Sequence, residues 1–175
     1  MLSFLFDKTP EEIVRWYENK ERKISYNWRE VWQEAHTKAF TVAKTMDLDL
    51  LADIKKEVTR AIETGQTYEE FRRNLEPRLK ARGWWGKIEE RNPETGETET
   101  IQAGSPHRLK TIYRTNVSTA YSAGRYKQFL ANADKRPYWQ YDAVMDARTR
   151  PEHGKLDKKV FRYDDPFWDT HFPPN

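Results

Sequence analysis

The stretch SPHRLKTIYRTNVSTAYSAGRYKQFLAN, residues 105–132, decides the fold class. Leu109, Ile112, Tyr113, Val117, Ala120, Tyr121 and Gly124 recur along it at helical intervals, which aligns them on one side of an α-helix. Ser105 is a natural capping residue, and Pro106 suits the first helical position, where a missing N–H leaves no bond unmade. A long central helix to about Asn132 is predicted.

Upstream the signals are also helical. Thr67-Tyr68-Glu69-Glu70 forms a capping box that opens a helix with Phe71, Leu75 and Leu79 inside, and Pro77 is expected to kink or restart it. Leu51, Ile54, Val58 and Ile62 make an earlier stripe, ended by Gly65, a natural residue just past a helix. Another helix is predicted from near Trp28 through Val31, Trp32, Ala35, Ala39, Val42 and Met46. The first helix begins at Thr9-Pro10-Glu11-Glu12 and runs to about Glu21, with Ile13, Trp16 and Tyr17 on one stripe. Residues 1–82 therefore read as a helical bundle.

Gly83-Trp84-Trp85-Gly86 closes that region, and residues 83–104 read as a linker or β-hairpin. Asn92-Pro93-Glu94-Thr95-Gly96 supplies the turn of an exposed hairpin, with a flexible loop as the alternative. The two tryptophans plug a helix end, one ring inside and one partly wet; a platform for a sugar or nucleotide is the competing reading. Residues 105–175 form the rest: the long helix, a half-buried strand over Pro137–Met145 with Trp139, Tyr141, Ala143 and Met145 on one face, and a second short strand over Val160–Tyr163. Residues 164–175 hold too many prolines and turn formers to be regular. The expected class is mainly α with a small β component.

The 175 residues include seven Trp, nine Tyr and eight Phe, enough aromatic surface to exclude wholesale disorder. No apolar run approaches the ~18 residues of a membrane span, and MLSFLFDKTP lacks the basic start and small-residue cleavage site of a signal peptide. No cysteine is present, so these residues offer neither disulfides, thiolate nucleophiles nor Cys-ligated zinc. The composition reads as that of a soluble protein made in a cytoplasm.

The formal net charge of +3 hides a segregation. From His107 to Arg136 seven Lys and Arg face Asp134 alone, a local +6 against −3 elsewhere. Arg108, Lys110, Arg114, Arg125 and Lys127 are the candidates for contact with double-stranded DNA, which would be salt-dependent. The competing reading is a solvated face whose charges pair with the acidic hairpin.

The densest polar cluster is Asp146-Ala147-Arg148-Thr149-Arg150-Pro151-Glu152-His153, followed by Asp157, Asp164-Asp165 and His171. Carboxylates and imidazoles in loops are the ingredients of a metal site or an acid–base pair. Yet no metalloprotease helix, nucleophile elbow or phosphate-binding glycine loop accompanies them. Arg148 and Arg150 can instead bridge Asp146, Glu152 or the Asp164-Asp165 pair and hold the loop's shape. His36 and His107 read as ordinary polar residues. The expectation is no catalytic residue, no metal ligand and no cofactor.

Taken in order, these motifs resemble a known family. Asp146–His153, Leu156-Asp-Lys-Lys-Val-Phe161, Asp164-Asp-Pro-Phe-Trp168 and Phe172-Pro-Pro-Asn175 resemble the C-terminal signature of phage Mu F-like minor head proteins. Ile112–Asn116 and Ala120–Arg125 are similar to that family's preceding block, and Val31–His36, Ala39–Lys44 and Gly83–Gly86 to longer Mu-like members. The resemblance implies a non-enzymatic head-morphogenesis protein, present in few copies at the portal and inner procapsid. It implies the portal protein and the major capsid or scaffolding protein as partners. It also implies no membrane, and a location in the host cytoplasm and then in the virion head near the portal.

Under this resemblance Asp146, Arg148, Arg150, Glu152, His153, Asp164, Asp165 and Trp168 form a fold or interface signature. In the family the Pro-Pro-Asn stretch is usually followed by a Gly-rich turn and a Cys-Arg-Cys segment. The expectation is that the native chain continues there or is cleaved in virion maturation, and that such cysteines could join His153 or His171 at a metal. The readings from other classes are DNA binding through the basic helix 107–136 and a metal-dependent hydrolase using Asp146, His153 and Asp165.

Overall fold

The computed structural model describes residues 11–23, 39–45, 47–93, 95–147 and 149–172. The fold is mainly α with a small β component. The chain divides into two compact units, Met1–Tyr121 and Ser122–Asn175.

In the first unit α1 (Glu11–Glu18) leads to β1 (Glu21–Arg22), which pairs in parallel with β2 (Ala39–Phe40). The helix expected through Met46 is thus absent over Ala39–Thr45; its residues 28–38 and Met46 lie outside the described residues, as do Thr9 and Pro10. Phe40 and Val42 are buried while Thr41 and Ala43 are less so, a two-residue alternation that suits extended chain and overrides the helical spacing. The first helix also stops short of Glu21, which belongs to β1.

Helix α2 (Leu48–Thr64) is capped by Asp47, whose carboxylate accepts from the Asp49 and Leu50 N–H groups, and Gly65 ends it in the left-handed region. Leu51, Ile54, Val58 and Ile62 are all buried, as their spacing predicts. Helix α3 (Tyr68–Ala81) carries the complete Thr67–Glu70 capping box, and the hydrogen bonds from Thr67 hold the Glu70 carboxyl below its ordinary pKa. It continues across Pro77 without restarting. The ring removes one helical hydrogen bond, but buried Phe71, Leu75 and Leu79 run along the helix on both sides of the turn and carry it through. Between these helices lies a buried carboxylate, Glu57, satisfied by the Arg78 guanidinium and by Asn74 Nδ2 at 3.1 Å.

Strands β3 (Lys87–Arg91) and β4 (Thr98–Gln102) form the expected antiparallel hairpin, with Lys87 opposite Gln102 and Arg91 opposite Thr98. Its turn closes through bonds between Asn92 and Glu97 and between Gly96 and Asn92. The early part of α4 (Pro106–Ala131) completes this unit, adding Leu109, Ile112 and Ala120 to a core with Tyr17, Phe40, Trp84 and Ala103. Trp84 is buried and Trp85 half-buried, with Lys80 Nζ 5.2 Å from the Trp85 ring centre.

The second unit takes the remainder of α4, the antiparallel pair β5 (Tyr138–Gln140) and β6 (Val160–Arg162), and the short helices α5 (Pro151–Gly154) and α6 (Phe167–His171). Trp139 is its centre: Tyr126, Phe129, Tyr163, Trp168 and Phe172 all place their rings within 6.2 Å of it. The strand expected over Pro137–Met145 is shortened to Tyr138–Gln140. Beyond Tyr141 the Ala143 N–H bonds the Asp157 carboxylate instead of a strand, and Met145 is exposed. The tail expected to be irregular contains α6, because Asp165 accepts the Phe167 N–H at 2.8 Å and starts a turn.

Candidate functional site

The charged motif builds two turns in the second unit. In the first, the Asp146 N–H donates to Thr149 Oγ1 at 3.0 Å, and the Thr149 hydroxyl donates to the Val144 carbonyl. Arg148 lies outside the described residues. Pro151 then occupies the start of α5 with Arg150 before it, which leaves Glu152 exposed in the first turn. His153 faces the opposite way: its Nδ1 lies 2.7 Å from the Tyr141 hydroxyl and its ring stacks on that of Tyr141.

In the second turn Asp164 pairs with Arg162 at 3.1 Å, an exposed link worth less than about 1 kcal/mol. Asp165 is held by the Phe167 N–H, and Trp168 is buried with its indole N–H donating to the Arg162 carbonyl at 3.0 Å. Asp164, Asp165 and Trp168 are thus brought together beside β6. Asp146, Arg150, Glu152 and His153 gather around α5. Among the described residues Arg150 makes no ion pair with Asp164 or Asp165, and aromatic packing and local bonds hold the turns there; the bridges expected of Arg148 lie outside those residues. Phe167 stacks between Phe161 and His171, with centroids 3.9 and 4.2 Å away, and meets Tyr141 edge-on.

The sequence reading missed Thr149, Tyr141 and Arg162, the residues that hold these turns. Their signal was weak: a threonine inside a charged run, and two strand-end residues. Among the described residues no group of three His, Asp or Glu is placed to hold a metal ion. His153 is engaged by Tyr141, and Asp165 by backbone.

The cations of α4 divide by role. Arg108 turns into the first unit, its guanidinium 4.6 Å from the centre of the Trp84 ring and donating to the carbonyls of Gln102, Ala103 and Ala43. Burial pulls its pKa down to about 10, which still leaves it charged at neutral pH. Lys110 and Arg114 in the first unit, and Arg125 and Lys127 in the second, are exposed. No helix among the described residues is long and apolar enough to cross a membrane.

Residues 52–175 match the family described as "Phage Mu protein F like protein". The chain belongs to the phage Mu F-like family. It is 53% identical over 166 residues to the "Putative capsid assembly protein F" of Escherichia phage Mu, covering 95% of this chain and 38% of that protein. It is 47% identical over 152 residues to the "Mu-like prophage FluMu F protein" of Haemophilus influenzae, covering 87% of this chain and 36% of that one. The chain therefore spans under two fifths of the length of these relatives. No solved structure matches it. The Mu F-like match takes in most of α2 and everything after it, including both turns and the whole of α4.

Proposed function

We propose that this protein acts in phage head assembly as a structural component, not as an enzyme. The observation that carries the reading is its 53% identity, over 95% of the chain, to a phage Mu protein named for capsid assembly. Its partners on this reading are the portal protein and the major capsid or scaffolding protein, and its place is the virion head near the portal, reached from the host cytoplasm. Asp146, Arg148, Arg150, Glu152, His153, Asp164, Asp165 and Trp168 serve as a fold signature that shapes the surface offered to those partners. The two turns they define, anchored by buried Trp168 and half-buried His153, support that role. Co-purification is the test: heads assembled in infected or induced cells should retain the protein together with the portal. Heads that contain portal but never this protein would sink the reading.

A second reading adds contact with packaged double-stranded DNA. The exposed side chains of Lys110, Arg114, Arg125 and Lys127 favour it, while Arg108 reaches into the fold. Reversing Arg114, Arg125 and Lys127 together should abolish a gel shift whose strength falls with salt. An unchanged shift ends this second reading without touching the first.

A further inference from the structure

The β5–β6 pair leaves its β5 edge open and has its β6 edge covered at one carbonyl, that of Arg162. In an antiparallel pair, backbone groups alternate between bonding inward and pointing outward. The Tyr163 N–H donates to the Pro137 carbonyl and the Tyr141 N–H to the Lys159 carbonyl, both at 2.8 Å, so the inward positions of β5 are the odd-numbered ones. On β6 the outward carbonyl of Arg162 is taken by the Trp168 indole N–H and by the Asp165 N–H, each at 3.0 Å. Among the described residues the outward N–H and C=O groups of Tyr138 and Gln140 on β5 meet no partner, and the sheet has no third strand. Open edges of this kind template pairing with another chain.

The side chains add a direction. Trp139 and Phe161 face the aromatic cluster, which leaves Tyr138, Gln140, Val160 and Arg162 on the outer face. Tyr138 is 68% exposed and Val160 57% exposed, unusual values for a tyrosine and a valine inside strands. We infer that β5 is a docking edge for a second copy of this chain, with the two β5 strands antiparallel about a two-fold axis at Trp139. That pairing sets Tyr138 of each copy opposite Gln140 of the other and satisfies all the outward groups of both strands in a four-stranded sheet. The two Tyr138 rings become diagonal neighbours on one face, within reach of each other. Carried outward in the same register, Arg136 of each copy stands opposite Asp142 of the other, on that same face. This charge match appears twice by symmetry and selects the self-complementary arrangement over an arbitrary strand.

Sedimentation equilibrium of the full chain over a wide concentration range tests the inference. The wild type should form a reversible dimer. Arg136→Asp alone and Asp142→Arg alone should each weaken it by about tenfold, and the double reversal should restore it. Because Asp142 also pairs with Lys158, Gln140→Pro is a further probe: it removes one outward donor and no inward one, and should give a monomer with the tryptophan near-ultraviolet signal of the wild type. A wild type that stays monomeric overturns the inference, including the case in which an extended segment of another protein uses this edge. A dimer indifferent to all these substitutions overturns it as well.

Discussion

Arg108 and the buried Trp84 form a cation–aromatic pair, the guanidinium 4.6 Å from the ring centre, that ties the start of α4 to the base of the hairpin. Through its bonds to the Ala43, Gln102 and Ala103 carbonyls, the same side chain ties the end of the hairpin to a stretch 65 residues back in the chain. Arg108→Ala should destabilise the protein by about 2–4 kcal/mol, since it strands those carbonyls and uncovers the indole. Arg114→Ala, on an exposed position of the same helix, should stay within about 0.5 kcal/mol. Urea midpoints of the two variants decide it, and equal midpoints would show Arg108 to be one more surface cation.

Stability should rise with pH above neutrality. Burial, aided by the nearby Lys55 charge, lowers the Lys20 pKa from 10.5 to about 8. Below pH 8 the lysine is charged in both folded and unfolded chains, and the cost of burying that charge is fully present. Between about 8 and 10.5 the folded lysine gives up its proton while the unfolded one keeps it, so folding gains up to about 1.4 kcal/mol per pH unit. Above pH 10 Tyr17 works in the opposite direction, because burial raises its pKa well above 10.0 and only the unfolded tyrosine ionises there. Lys20→Met should stabilise the protein at pH 7 and flatten the rise, leaving the smaller part owed to Lys55, whose pKa burial and the Arg22 charge also lower, as read from urea unfolding at pH 7 and 9.5.

Gly104 is required for want of space. A Cβ there would lie 2.5 Å from the Trp85 ring and 2.7 Å from the Trp84 carbonyl oxygen, and backbone cannot step aside as a flexible side chain can. Gly104→Ala should therefore cost about 1–3 kcal/mol. A thermal midpoint unchanged from wild type would contradict the close approach.

Trp168→Ala should loosen the second unit and spare the first. The indole packs 5.6 Å from Trp139, centre to centre, and caps the Arg162 carbonyl. Among the described residues of this unit the buried hydrophobic ones are few, Trp139, Trp168 and Ala133. Loss of a buried tryptophan costs about 3–5 kcal/mol, enough to unpair β5 from β6. Hydrogen exchange should accelerate over residues 138–162 and remain slow in α2. A uniform change across both units would refute this separation.

The elements readable from sequence are those whose signals are local. The Thr67–Glu70 capping box, the stripe ending at Gly65 and the Asn92–Gly96 turn each involve neighbours within a few residues, and each stands where it was expected. Ala39–Val42 misled because its spacing suits a helix. Its true partner, Glu21–Arg22, lies far back in the chain, and pairing with it required extended backbone. Likewise Pro77 is a strong local breaker, overruled by burial on either side. In the charged motif, opposite charges nearby suggested bridges from Arg148 and Arg150 to Asp146, Glu152 or the Asp164-Asp165 pair, and those of Arg148 lie outside the described residues. The bonds seen among the described residues run to Thr149, Tyr141 and backbone N–H groups, whose availability depends on how β5 and β6 bring the turns together.

By itself the sequence determined the mainly helical class, the hairpin and membership of a phage family, because short-range periodicity and motif order survive without coordinates. Only the tertiary structure decided that Arg108 faces inward while Lys110 and Arg114 face water, since a cation's role depends on what packs around it. It also decided that Trp139 organises the second unit and that one strand edge there stays open. Those outcomes rest on contacts between residues far apart in the chain, and no local pattern encodes which of several distant partners will be met.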